Sequence, residues 1–187
     1  MPPKVKVARE DIISAALDIV RKEGRDNLNA RTVAKALSCS TQPIFSNFAT
    51  MDELDSAVIS AAYSRYLGFL RSEEERGEYP RYKSYGMAYI RFAKEEKELF
   101  KLLFMRDRSG EEWTATPDFC ESVKMIMQNN GMTEEAATKI HLTLWSTVHG
   151  IATMQATSFL ELSNELVSEL ISEVYKGICG NNAAEVK

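Results

Sequence analysis

The chain has 187 residues, of which 44% are hydrophobic and 27% charged, and its net charge is −4. That suits a soluble globular protein of one domain, or two small ones sharing a core, in a cytoplasmic setting. No run approaches the ~18 apolar residues of a membrane span, the opening "MPPKVKVARED" has no apolar signal-peptide core, and three scattered cysteines with two histidines argue against a zinc site or any other cofactor.

Almost every segment has helical periodicity. "EDIISAALDIVRKEG" places Ile12, Ala15, Ala16, Ile19 and Val20 on one face, with Gly24 as the stop. Asn29 is the expected cap of a second helix, Ala30–Leu37. Ser40 is the expected cap of a third, Thr41–Phe48, with Pro43 in its first turn. Thr50-Met51-Asp52-Glu53 is a capping box opening a long helix to about Arg76. Further helices are expected over Arg81–Glu95, Lys97–Met105, Asp118–Asn130, Glu134–Leu162 and Asn164–Cys179, the last two capped by Thr133 and Ser163. The expected fold is therefore all-α with about nine helices. A three-helix head (1–50) is joined by a long fourth helix to a helical body (51–187).

The third helix is short, small-sided and uncharged. Ile44 and Phe48 lie at i, i+4 and would anchor it, leaving Thr41, Gln42, Ser46 and Asn47 outward. A helix that reads bases in the major groove needs donors and acceptors of this kind rather than net charge. Residues 1–50 also carry eight Lys and Arg against five Asp and Glu, a surplus of three on a chain that is acidic elsewhere. A basic head on an acidic body suits a DNA-contacting end.

Residues 9–54 resemble the N-terminal DNA-binding domain of TetR-type transcriptional repressors. The first helix carries "AAL-IV-KEG", the second "T-VAKAL", the third Ser40-x4-Phe45-x2-Phe48, and Thr50-x-x-Glu53-Leu54 opens the fourth. The resemblance implies a helix-turn-helix homodimer that binds double-stranded operator DNA, with a C-terminal domain for dimerisation and a small-molecule effector. The expected DNA-contacting residues are Lys4, Lys6, Arg31, Thr32, Ser40, Thr41, Gln42, Pro43, Phe45, Ser46, Asn47 and Thr50. Two positions depart from the family pattern: Phe45 stands where a Tyr hydroxyl usually meets a phosphate, and Met51 where a Lys is usual. Both losses should weaken salt-dependent backbone binding. In the body, Trp145-x3-His149-Gly150 resembles the W…HG signature of one TetR C-terminal subgroup.

The middle helices are rich in Met and aromatic residues, which build core and also accept apolar ligands. The expected ligand-facing set is Tyr66, Met87, Tyr89, Phe92, Phe104, Trp113, Met125, Trp145 and His149. His141 and Gln155 are further polar groups able to orient a ligand. The last two long helices are apolar on more than one side, so a partner copy is expected to cover one of them. Its contact residues are expected to be Leu144, Val148, Ile151, Phe159, Leu166, Leu170 and Val174. An enzyme is the rival class, but no GxSxG, HExxH, P-loop or GxGxxG is present. The implied function is a repressor released by a small, largely apolar effector. The alternative is a helical dimer that no longer binds DNA and serves as a ligand carrier or protein partner.

Overall fold

The computed structural model describes residues 7–112 and 116–185. Among them are nine α-helices, one 3₁₀ turn and no strand: α1 Arg9–Glu23, the turn Arg25–Asn27, α2 Ala30–Ala36, α3 Gln42–Asn47, α4 Met51–Arg76, α5 Arg81–Glu95, α6 Lys97–Phe104, α7 Pro117–Asn130, α8 Glu134–Ala156 and α9 Asn164–Glu185.

Side-chain caps mark four of the nine helix starts among the described residues. Asn29 Oδ1 accepts from the backbone N–H groups of Arg31 and Thr32, satisfying donors that the first turn of α2 leaves open. Thr133 and Ser163 accept from Ala136 and Leu166 in the same way. At α4, Thr50 Oγ1 accepts from Glu53 N–H, while the Glu53 carboxylate reaches back to Ala49 N–H, one residue before the cap. Two expectations shift here: α3 begins at Gln42 with Thr41 as its uncapped N-cap, so Ser40 caps nothing, and α9 continues past Cys179 to Glu185.

Two helix ends share one device that composition hid. After α2, Ser38 adopts φ 51°, Ser38 N–H donates to Lys35 O, and Cys39 N–H donates to Ala34 O. After α8, Ser158 adopts φ 57°, Ser158 N–H donates to Gln155 O, and Phe159 N–H donates to Met154 O. Both are Schellman closures with serine in the left-handed position that glycine usually fills. The second ends α8 at Ala156, six residues before the expected Leu162. Phe159 continues the apolar stripe of Ile140, Leu144, Val148 and Ile151, so the helical pattern in the sequence runs on through it.

Contacts divide the chain into two compact units. The first comprises the described residues up to Gly68 together with Glu96–Arg106, so α6 folds with α1, α2, α3 and the start of α4. Its core is built from Ile12, Val20, Val33, Ile44, Phe48, Leu54, Val58, Leu99 and Phe100, all at most 1% exposed. Each such side chain stabilises by roughly 1.5–3 kcal/mol when fully buried. The second unit comprises Phe69–Glu95 and the described residues from Asp107 onward. There α8 is the central element, packed by α5, α7 and α9. Val123, Ile126, Ala137, Ile140 and Leu144 form a core cluster, with Tyr82, Phe119, Val174 and Tyr175 packed against it.

Candidate nucleic-acid interface and ligand core

In the first unit, α3 is held from behind by Ile44 and Phe48, both buried, and presents Gln42, Phe45 and Ser46 to solvent. The outward groups differ in what they have left to offer. Ser46 Oγ–H donates to Gln42 O at 2.9 Å and Asn47 Nδ2–H to Pro43 O at 2.8 Å, so both side chains spend a proton on their own helix. Gln42 makes no side-chain hydrogen bond among the described residues, and its whole amide is available for a bidentate contact. Thr41 and Pro43 are half-buried beside it, and Ser40 is exposed in the corner. Phe45, 52% exposed, offers a ring and no hydroxyl.

Three of the head's six described cations are spent inside the molecule. Arg9 lies 3.9 Å over the Phe48 ring, pairs with Glu53 at 2.9 Å and donates to Asn47 O, tying α1 to the end of α3 and the start of α4. Arg25 pairs with Asp55 at 3.1 Å. Arg21 donates through Nε and Nη2 to both oxygens of Glu96, each at 2.7 Å, and Arg65 donates through Nε to Glu96 Oε1 at 2.8 Å. Glu96 is only 6% exposed. Burial pushes its carboxyl up, but the bonds from the two guanidiniums outweigh that and hold it below the usual range. Glu53 is likewise held down by the Ala49 N–H and Arg9.

The free cations of the head's described helices are then Lys22, Arg31 and Lys35, the last two one turn apart on α2. Thr32 is already used, donating to Asn27 O and accepting from Asn29 N–H. Thr50 accepts from Glu53 N–H and keeps its own proton to donate. Lys4 and Lys6 lie outside the described residues, as does Trp113.

The expected ligand set does not gather in one unit. Tyr66 meets Phe104 edge-on at 5.3 Å in the first. In the second, Phe92 meets Phe69 at 5.2 Å, Met87 and Met125 are buried, and Trp145 stacks on His149 at 5.2 Å and 18°. The polar feature of this unit is a repeated pair along α5 and α8. Tyr82 O meets His141 Nδ1 at 2.9 Å, and Tyr89 O meets His149 Nδ1 at 2.9 Å. Burial pushes both phenols up and both imidazoles down, His141 to about 4, so each pair is neutral at pH 7 and a phenol can donate to an uncharged ring. Gln155, 3% exposed, keeps a buried Oε1 without a hydrogen-bond partner. A ligand N–H or O–H is the complement such an acceptor lacks.

The seven expected interface residues also separate. Leu144, Val148 and Ile151 are buried within the protomer itself, where Leu144 belongs to the core cluster and Val148 faces Gly86 of α5. They leave almost no area for a partner. Leu170 and Val174 are half-buried, Val174 against the same cluster. Phe159 and Leu166 are exposed, at 79% and 42%, and Leu160 and Trp145 join them. A helix with two apolar stripes does not announce which one its own chain covers.

Residues 83–174 match the family model described as "Tetracyclin repressor-like, C-terminal domain". Three similar solved structures carry the comparison over nearly the whole chain. A TetR-like transcriptional regulator from Rhodococcus sp. RHA1 is 16% identical, with TM-score 0.63, over 96% of this chain and 99% of that one. The fold of this chain is similar to that of TetR-like regulators. A TetR-family member from Streptomyces coelicolor A3 is 18% identical, with TM-score 0.59, over 89% and 96%. The multidrug binding protein EbrR, complexed with imidazole, is 17% identical, with TM-score 0.57, over 89% and 88%. At such identities the likeness shows the TetR fold. No curated protein matches the sequence. Among the described residues, no helix is long and apolar enough to cross a membrane.

Proposed function

We propose that the protein is a ligand-responsive, DNA-binding transcriptional regulator of the cytoplasm. It is a repressor that binds a palindromic operator as a homodimer and is released by a small, largely apolar effector. The observation that carries this reading is α3 in its TetR-like setting: Ile44 and Phe48 anchor it, and Gln42 stands outward with its amide unspent. Arg31 and Lys35 on α2 supply cations for the phosphate backbone, and Thr50 a hydroxyl. The effector reading draws on the neutral Tyr89–His149 pair and the orphaned Gln155 oxygen among apolar side chains, and on the similarity in fold to EbrR, a multidrug binding protein. Exposed Phe159, Leu160 and Leu166 are the residues assigned to a partner copy.

The long helix α4 has 26 residues, or roughly 39 Å at 1.5 Å per residue. Its first part belongs to the first unit, and Phe69 onward to the second. A ligand that tilts it would change the spacing of two recognition helices, which must match one DNA turn of ~34–36 Å or a multiple. Linkage then requires operator DNA and effector to weaken each other by the same factor.

The test is fluorescence anisotropy with the DNA upstream of the protein's own gene, over a salt series. Gln42→Ala should lose roughly 1–3 kcal/mol against the preferred base with the salt slope unchanged. Arg31→Ala should weaken all sequences alike and reduce the slope by about one. Uniform loss in both variants would remove Gln42 from base readout. A wild-type protein that binds no DNA would favour the second reading, a helical dimer acting as ligand carrier or protein partner. Phe45, Met51 and the internally paired arginines of the head already lean that way.

A further inference from the structure

Lys83, half-buried on α5, stands apart from the arginines that meet buried carboxylates in the two units. Arg21 and Arg65 meet Glu96, and Arg91 meets Glu73 at 3.1 Å. Lys83 Nζ instead donates to two hydroxyls on α9, Ser168 Oγ at 2.6 Å and Ser172 Oγ at 2.8 Å, and lies 5.0 Å from the Tyr79 ring centroid. Among the described residues no carboxylate is paired with it. The charge it feels is Lys176, the next turn of α9, and burial and that second cation both pull its pKa down.

The donor count defines what is missing. An ammonium has three N–H groups, of which two are used here. Ser172 Oγ–H is spent on Ser168 O at 2.9 Å. What remains to donate is one Lys83 N–H, the Ser168 hydroxyl proton and the Lys176 ammonium, two positive charges in all, and the acceptors beside them are neutral hydroxyl oxygens. Half-buried charge without a counter-charge costs free energy that an anion would offset, and charge-assisted bonds to oxyanions are the strong ones. We propose that Lys83, Ser168, Ser172 and Lys176 form a binding site for a small oxyanion group, a phosphate or a carboxylate. The site is separate from the aromatic Tyr89–His149 region and does not depend on DNA binding.

Titrate the full chain with inorganic phosphate and, separately, with acetate by isothermal calorimetry in a low-salt buffer. Saturable binding of either probe is expected, and the tighter one names the oxyanion class. Lys83→Met keeps the buried stem and should weaken binding at least about tenfold; Ser168→Ala, which deletes one oxygen, should weaken it about three- to tenfold. Should Lys83→Met not fold, as read by circular dichroism, Ser168→Ala carries the test. Absence of saturable binding by both probes overturns the proposal, as does unchanged affinity in the variants. So does a Lys83→Met protein that dissociates to monomers while neither probe binds wild type, since the counter-charge would then come from the partner chain.

Discussion

The two compact units solve the burial of polar groups differently. In the first, the buried polar group is a carboxylate, Glu96, gripped by guanidiniums from α1 and α4. In the second, the α5–α8 contact holds two phenol–imidazole pairs that carry no charge at neutral pH, and a buried carboxylate, Glu73, meets Arg91 and Arg76. A charged clamp needs both partners ionised and tolerates salt and solvent poorly when one is removed. A neutral pair stays satisfied until a ring gains a proton. Both units are therefore expected to be sensitive to deletion of a buried charge, and the second to acid as well.

The largest expected effect tests which face of α8 lies inside. Leu144→Glu would place an unpaired carboxylate in the second unit's core and should cost about 3–5 kcal/mol, unfolding the protomer. Phe159→Glu, on an exposed side chain, should leave the urea midpoint nearly unchanged and, on the dimer reading, shift sedimentation toward monomer. If Leu144→Glu gave a folded monomer, the core assignment of that stripe would fail.

Next is the clamp. Glu96→Ala should destabilise the protein by about 2–3 kcal/mol in urea titration, below the full penalty for a broken buried pair, because Arg21 and Arg65 are 31% and 41% exposed and regain water. A loss under about 0.5 kcal/mol, the range of ordinary surface substitutions, would show that the first unit does not depend on it.

Acid should act on the second unit. His141 binds its proton near pH 6.5 when unfolded and near 4 when folded, so the folded state binds fewer protons between those values. Its contribution is full above about pH 6.5 and is lost as pH falls toward 4. From pH 7 to pH 5 the loss should be of order 2 kcal/mol, with His149 adding in the same direction. His141→Asn should flatten that slope. A wild-type protein equally stable at both pH values would contradict the buried neutral pair.

The smallest effect is local. Ser38→Gly relieves a left-handed serine at the α2–α3 corner and should stabilise by about 0.5–1 kcal/mol, less the added freedom of the unfolded chain. A melting temperature that falls would mean that the serine side chain itself holds the corner.

Local chemistry determined much of this protein in advance. The caps Asn29, Thr50, Thr133 and Ser163, the stops at Gly24 and Gly131, and the anchors Ile44 and Phe48 all act within one helical turn, so their meaning is carried by neighbours in sequence. That is why nine helices, and α3 as an anchored polar helix, could be read from the chain. Features made by residues far apart could not. Glu96 meets Arg21 across 75 positions, Lys83 meets Ser168 across 85, and Tyr82 meets His141 across 59, and no period or motif links them. The side of α8 that faces inward, the assignment of α6 to the first unit and the pairing that consumes the head's arginines were decided by packing. Periodicity says that a helix has an apolar stripe, but only the elements brought against it say which stripe is covered.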